Sequence, residues 1–119
     1  MIEKKENWLV ILNPNAGGCQ ANREWPLIEK ELTKEGFHFE MVRTEHPKHA
    51  IAIVKNKIGE GFRNIISVGG DGTLHEVVNG IMTQEHAPTS EILLAMISMG
   101  TGNDWIKTHA DKPEVIGWP

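Results

Sequence analysis

Apolar residues arrive along this chain in two rhythms. Residues 7–13 (NWLVILN), 64–68 (NIISV) and 92–97 (ILLAMI) are short, nearly unbroken runs. Such runs predict strands buried on both faces. Residues 37–43 (FHFEMVR) alternate instead, with Phe37, Phe39 and Met41 on the more apolar side, and predict a further strand. Between these runs the apolar positions recur at helical spacing. Trp25, Ile28 and Leu32 share a face within residues 21–35; Ala50, Ile51, Val54 and Ile58 do so after Pro47. Leu74, Val77, Val78, Ile81 and Met82 do so in a helix expected to start near Leu74. Pro26 belongs in the first turn or two of its helix, and Gly36 supplies that helix's stop. A last short helix is expected after residues 100–104 (GTGND).

Strand and helix therefore alternate. The order predicts an α/β fold of three layers, a parallel sheet with helices on both faces. In such sheets ligands collect beyond the carboxyl ends of the strands. Four loops fall on that edge: NPNAGG (13–18), TEHP (44–47), GGDGT (69–73) and SMGTGND (98–104). Three of them are rich in Gly, Asn and other small residues.

The third loop belongs to SVGGDGTLHEVVNG, residues 67–80, which holds four glycines and an aspartate. Glycine is entropically costly, so its concentration around Asp71 needs a reason. Consecutive glycines let backbone N–H groups converge on phosphate oxygens, and a following helix aims its positive end at them. On this reading Gly70 also adopts backbone angles open only to glycine. Asp71 would anchor Mg²⁺ or its water, or accept a proton. The plainer reading is a tight connection in which Asp71 or Thr73 caps the helix. Two more small-residue loops at the same edge favour a ligand. Phosphoryl transfer suits such a site, since it needs a phosphate cradle, a cation and alignment of an acceptor hydroxyl. The chain has neither a P-loop, nor G-x-G-x-x-G after the first strand, nor a protein-kinase signature.

Composition narrows the choice. The 119 residues fit one domain, and 12 basic against 16 acidic residues give a net charge of −4. That balance excludes a polycationic nucleic-acid binder. Cys19 is the only cysteine, so no intrachain disulfide forms. No apolar run reaches the length of a signal-peptide core or a membrane span, and a cytoplasmic protein is expected.

NPNAGG, TEHPKHA, GGDGTLHEVVNGI and GTGNDW, in this order, resemble the nucleotide-binding domain of the diacylglycerol kinase catalytic family, which includes sphingosine, ceramide and bacterial lipid kinases. The resemblance runs from residue 8 to about 108, and GGDGTLHEVVNGI is its most specific part. It implies transfer of the ATP γ-phosphate to a lipid hydroxyl, with Mg²⁺ and with the lipid met at a membrane surface. It assigns Asn13, Pro14, Asn15, Ala16 and Gly17 to a first nucleotide loop and Thr44 to a nucleotide contact. Gly69, Gly70, Asp71, Gly72 and Thr73 become the phosphate loop, with Glu76 behind it and Thr101 and Asn103 as a further contact. Asp71 is the catalytic candidate and the candidate Mg²⁺ ligand. Family members usually have proline where this chain has Ser98.

Family enzymes continue into a second, largely β domain that carries much of the lipid site and, in bacterial members, an acidic proton acceptor and Mg²⁺ ligands. Residues 1–119 are accordingly expected to be the nucleotide-binding half. Alone they should be inactive and prone to self-association, partly through EVIGWP at residues 114–119. Two other functions stay in view: an NAD kinase-like enzyme, since those enzymes also carry GGDGT, and a non-catalytic nucleotide-binding module.

Other residues carry simpler readings. His46 and His49 stand near metal-ligand spacing, but without a matching Cys or His they read as surface or helix-start residues. Glu76 fits equally a first-turn carboxylate favoured by the helix dipole. Trp8, Trp25 and Trp118 read as packing residues, Asp104 as a helix cap, and Trp105 as a neighbour of the nucleotide.

Overall fold

Strand β1 (Asn7–Leu12) is apolar from Trp8 to Leu12 because it lies inside a sheet covered on both faces. The computed structural model describes residues 7–98 and 114–116. Strands β2 (His38–Arg43), β3 (Asn64–Gly69), β4 (Leu93–Ser98) and β5 (Glu114–Ile116) complete the sheet in the order β2-β1-β3-β4-β5. β1 to β4 run parallel, as the alternation of elements predicts. β5 runs antiparallel to β4, with Leu94 opposite Ile116. The first three residues of the EVIGWP segment form this edge strand.

Successive side chains of a strand point to opposite faces, and each face has its own helices. On one side Ala21, Trp25, Ile28 and Leu32 of α1 (Ala16–Lys34) pack on Trp8, Val10, Leu12, Ile66 and Val68. On the other, α2 (His49–Glu60) and α3 (Asp71–Thr83) bring Ala50, Val54, Ile58, Val77 and Ile81 onto Leu9, Ile11, Ile65 and Leu94. Trp8 and Trp25 are core residues, as expected, meeting Phe37 and Phe39 edge to face at 5.4 and 6.0 Å. β2 forms the outer edge, and its His38, Glu40 and Arg43 are exposed. Lys57 of α2 pairs with Glu40 of β2 and, at 3.4 Å, with Glu60.

Helix α3 crosses α2 closely at Gly80. A Cβ there would stand 2.9 Å from the Val54 Cβ and 3.0 Å from the Ile51 carbonyl oxygen. The fold demands glycine at this point, despite its cost of about 1 kcal/mol in a helix.

Two helices begin earlier than the hydrophobic pattern predicts. α1 starts at Ala16 rather than residue 21, so Pro26 lies in its interior and not in its first turns. Its opening is irregular, with Gly18 at φ 64° and Cys19 at φ 72°, both left-handed. That irregular turn is why the periodic pattern starts late. α3 starts at Asp71 rather than Leu74, and Gly70 is its N-cap. The helix expected after GTGND lies outside the described residues.

Candidate functional site

The chain leaves β1 for the α1 face and leaves β3 for the α3 face, although β1 and β3 are neighbours in the sheet. Their carboxyl ends therefore diverge, and a crevice must open between the two connections. A cleft of about 310 Å³ is found there. Asn13 and Asn15 line it from the loop after β1, and Thr73 and Glu76 from the start of α3. The third wall, Thr44 to Pro47, comes from the loop after β2.

Each wall is held differently. In the first, the Asn13 side chain folds the turn back by accepting the Asn15 N–H at 3.0 Å, and the Asn13 N–H bonds the Val68 carbonyl at 3.2 Å. The wall after β2 begins with the Thr44 N–H on the Leu12 carbonyl at 2.9 Å. Its Glu45 N–H donates to His49 Nδ1 at 2.9 Å, and its Lys48 N–H donates to Glu76 Oε2 at 3.1 Å. Lys48 is left-handed at φ 68°. His46 and His49 stack, with ring centroids 4.5 Å apart. They sit at the helix start, and no group of three metal-ligating side chains occurs among the described residues.

The glycines between β3 and α3 divide into two kinds. A Cβ on Gly69 would meet Thr73 Oγ1 at 2.6 Å and the Ala16 Cβ at 3.4 Å, and its φ is +156°. Gly69 is thus required by the protein itself, because it lets the buried Thr73 and the first loop close over β3. Gly70 and Gly72 differ. A Cβ on either would meet nothing within 4 Å, and Gly70 has ordinary extended angles, φ −107° and ψ −162°. The expectation of glycine-only angles at Gly70 is therefore overturned. Every other glycine whose surroundings are described has either a left-handed φ or a contact closer than 3.1 Å. At Gly70 and Gly72 nothing among the described residues explains the missing side chain. Bare backbone facing open space at a helix N-terminus is the form an anion site takes.

A sequence model described as the diacylglycerol kinase catalytic domain matches residues 7–116. The chain belongs to this family. A diacylglycerol kinase of Staphylococcus aureus is 38% identical over 108 residues, spanning 91% of this chain and 33% of its own length. Sphingoid long chain base kinase 4 of Schizosaccharomyces pombe is 33% identical over 105 residues, spanning 86% of this chain and 23% of its own. A crystal structure of a diacylglycerol kinase from Bacillus anthracis superposes with a TM-score of 0.64 at 31% identity, covering 83% of this chain and 35% of that one. This chain spans about a third of the length of the diacylglycerol kinases it matches.

Within this diacylglycerol-kinase-family fold, Asn13, Asn15, Thr44, Thr73 and Glu76 of the expected site share the cleft. Ala16 packs beside Gly69, and Pro14 sits in the turn between the two asparagines. Gly17 opens α1. Asp71 is exposed in the first turn of α3, is not among the residues that line the cleft, and is not the N-cap. Thr73 is not the cap either. Thr101, Asn103, Asp104, Trp105 and Trp118 lie outside the described residues. Glu45, His46 and Pro47 are cleft residues to which the sequence reading gave no ligand role, although the TEHP loop was placed on the correct edge.

Proposed function

We propose that this chain is the nucleotide-binding part of a lipid kinase that transfers the γ-phosphoryl group of ATP to a lipid hydroxyl, diacylglycerol or a related alcohol. The observation that carries the reading is the pair Gly70 and Gly72, bare backbone that no described residue requires, beside a cleft at the switch point of the sheet. In the reaction the acceptor oxygen bonds to the γ-phosphorus, the bond to the β-phosphate oxygen breaks, and the hydroxyl proton passes to a base.

The roles follow from position. Backbone N–H groups from Gly70 to Thr73 meet the phosphates at the positive end of α3. Asn13, Asn15 and Thr44 bound the nucleotide from the other two walls, and Thr101 and Asn103 add the contact that the resemblance implies. Mg²⁺, when bound, would neutralise charge on the phosphates. On this reading Asp71 would hold it, and one carboxylate with phosphate oxygens and water is an ordinary Mg²⁺ set. Asp71 serves catalysis in that way, or by taking the proton.

No helix among the described residues is long and apolar enough to cross a membrane. The proposed enzyme is cytoplasmic and meets its lipid at the membrane surface. The test is a radiolabelled ATP assay of the full-length protein with diacylglycerol and NAD side by side. Labelled phosphatidic acid is the expected product. Labelled NADP without labelled lipid would replace the reading with an NAD kinase, and nucleotide binding without turnover of either would replace it with a binding module.

A further inference from the structure

Glu76 stands in the second turn of α3, yet its hydrogen bond goes to another element. Its Oε2 accepts the backbone N–H of Lys48, 28 residues earlier in the chain, at 3.1 Å. Lys48 directly precedes α2 and is the residue at its N-cap position, with no side-chain cap of its own. Its backbone is left-handed, φ 68° and ψ 0°, a conformation that a residue with a Cβ adopts only under constraint. A carboxylate at this point satisfies an orphan donor and faces the positive end of α2. Helix α3 therefore caps helix α2 across space.

The cap lies at one end of a cleft wall. Thr44, at the other end, is tied to β1 through Leu12, and His49 Nδ1 holds the Glu45 N–H between them. With Pro47 contributing no N–H, Lys48 is the last point at which the wall from Thr44 to Pro47 is fastened before α2 begins. We propose that Glu76 is a positioning residue, which sets the Thr44–Pro47 wall of the nucleotide cleft by capping α2. The inference rests on the nucleotide reading above and deepens it.

Two measurements on the ¹⁵N-labelled full-length protein test it. Amide exchange without ligand reads the cap: Glu76→Ala should speed exchange at Lys48 at least tenfold, with the Val77 and Ile81 amides of α3 unchanged. Calorimetry with Mg·ATP reads the consequence: Glu76→Ala should weaken binding about tenfold, while Glu76→Gln, which keeps an acceptor oxygen, should stay within about threefold of the parent. Loss in the Gln variant equal to that in Ala would mean that the charge touches ligand or metal directly, and would overturn the proposal. Unchanged Lys48 exchange in the Ala variant, or unchanged affinity despite faster exchange, would overturn it too. A parent protein that binds no nucleotide would overturn the nucleotide reading and the cleft-setting role with it, while the exchange data still decide whether the cap exists.

Discussion

The loops after β2 and β3 both deliver a helix N-terminus to one cleft, and they are held by opposite means. The loop after β3 is shaped by backbone and close packing, with Gly69 pressed against Thr73 and Ala16. Its Gly70 cap offers no side chain, and its exposed face is bare. The loop after β2 is shaped by side chains acting at a distance, His49 on Glu45 and Glu76 on Lys48. The first arrangement turns bare backbone outward at a helix N-terminus. The second commits its donors within the protein and presents side chains to the cleft.

The comparison breaks most readily at Asp71. Asp71→Asn in the full-length enzyme should lower turnover about a thousandfold, near 4 kcal/mol in barrier, with the melting temperature unchanged, because the residue is exposed and its proposed role is in chemistry rather than packing. Turnover close to the parent's would remove Asp71 from the mechanism.

Gly69→Val attacks packing instead. With Thr73 Oγ1 2.6 Å from the position of a Cβ, and φ at +156°, the variant should lose about 3 kcal/mol of stability in urea denaturation. A variant as stable as the parent would show that the contact is loose. Gly70→Val sharpens the contrast one residue away. Its backbone angles suit valine and its Cβ meets nothing, so stability should hold while nucleotide affinity falls about tenfold, near 1.4 kcal/mol. Unchanged affinity would reduce the loop to a turn.

This contrast also explains what was legible beforehand. The turn from Gly69 to Thr73 was legible as a loop at the sheet edge because its glycines interrupt the apolar pattern between β3 and α3. The buried runs 7–13 and 64–68 were legible because strands covered on both faces leave no room for polar alternation. The wall after β2 was legible only in its place at the sheet edge. Its organisation depends on Glu76, 28 residues from Lys48, and no local pattern encodes that pairing. Ala16 escaped as a helix start because the glycines after it and the left-handed Gly18 and Cys19 hide the helical period. β5 escaped because three residues carry too little pattern, and its strand state comes from pairing with β4.

The smallest expected effect lies away from the cleft. The hydrogen bond with Glu40 raises the Lys57 pKa above its ordinary 10.5, with the charges of Glu40 and Glu60 adding to it and burial opposing. A raised ammonium pKa stabilises the fold below about pH 10.5 and loses that contribution as pH climbs through the folded value. Glu40 is half exposed, so water screens the pair, and Lys57→Met should cost less than about 1 kcal/mol at neutral pH. Salt titration of the melting temperature, parent against variant, would reveal a larger role.

Gly80 gives the two unlike loops a common mechanics. With no side chain between α2 and α3, Val54 and the Ile51 carbonyl sit against the α3 backbone, and neither helix can slide or roll without the other. The pair packs as one unit that carries both the start of α3, at the end of β3, and the start of α2, at the end of β2. A side chain at Gly80 would have to part the two helices, and with them two walls of the cleft, while α1 on the far side of the sheet would be left untouched.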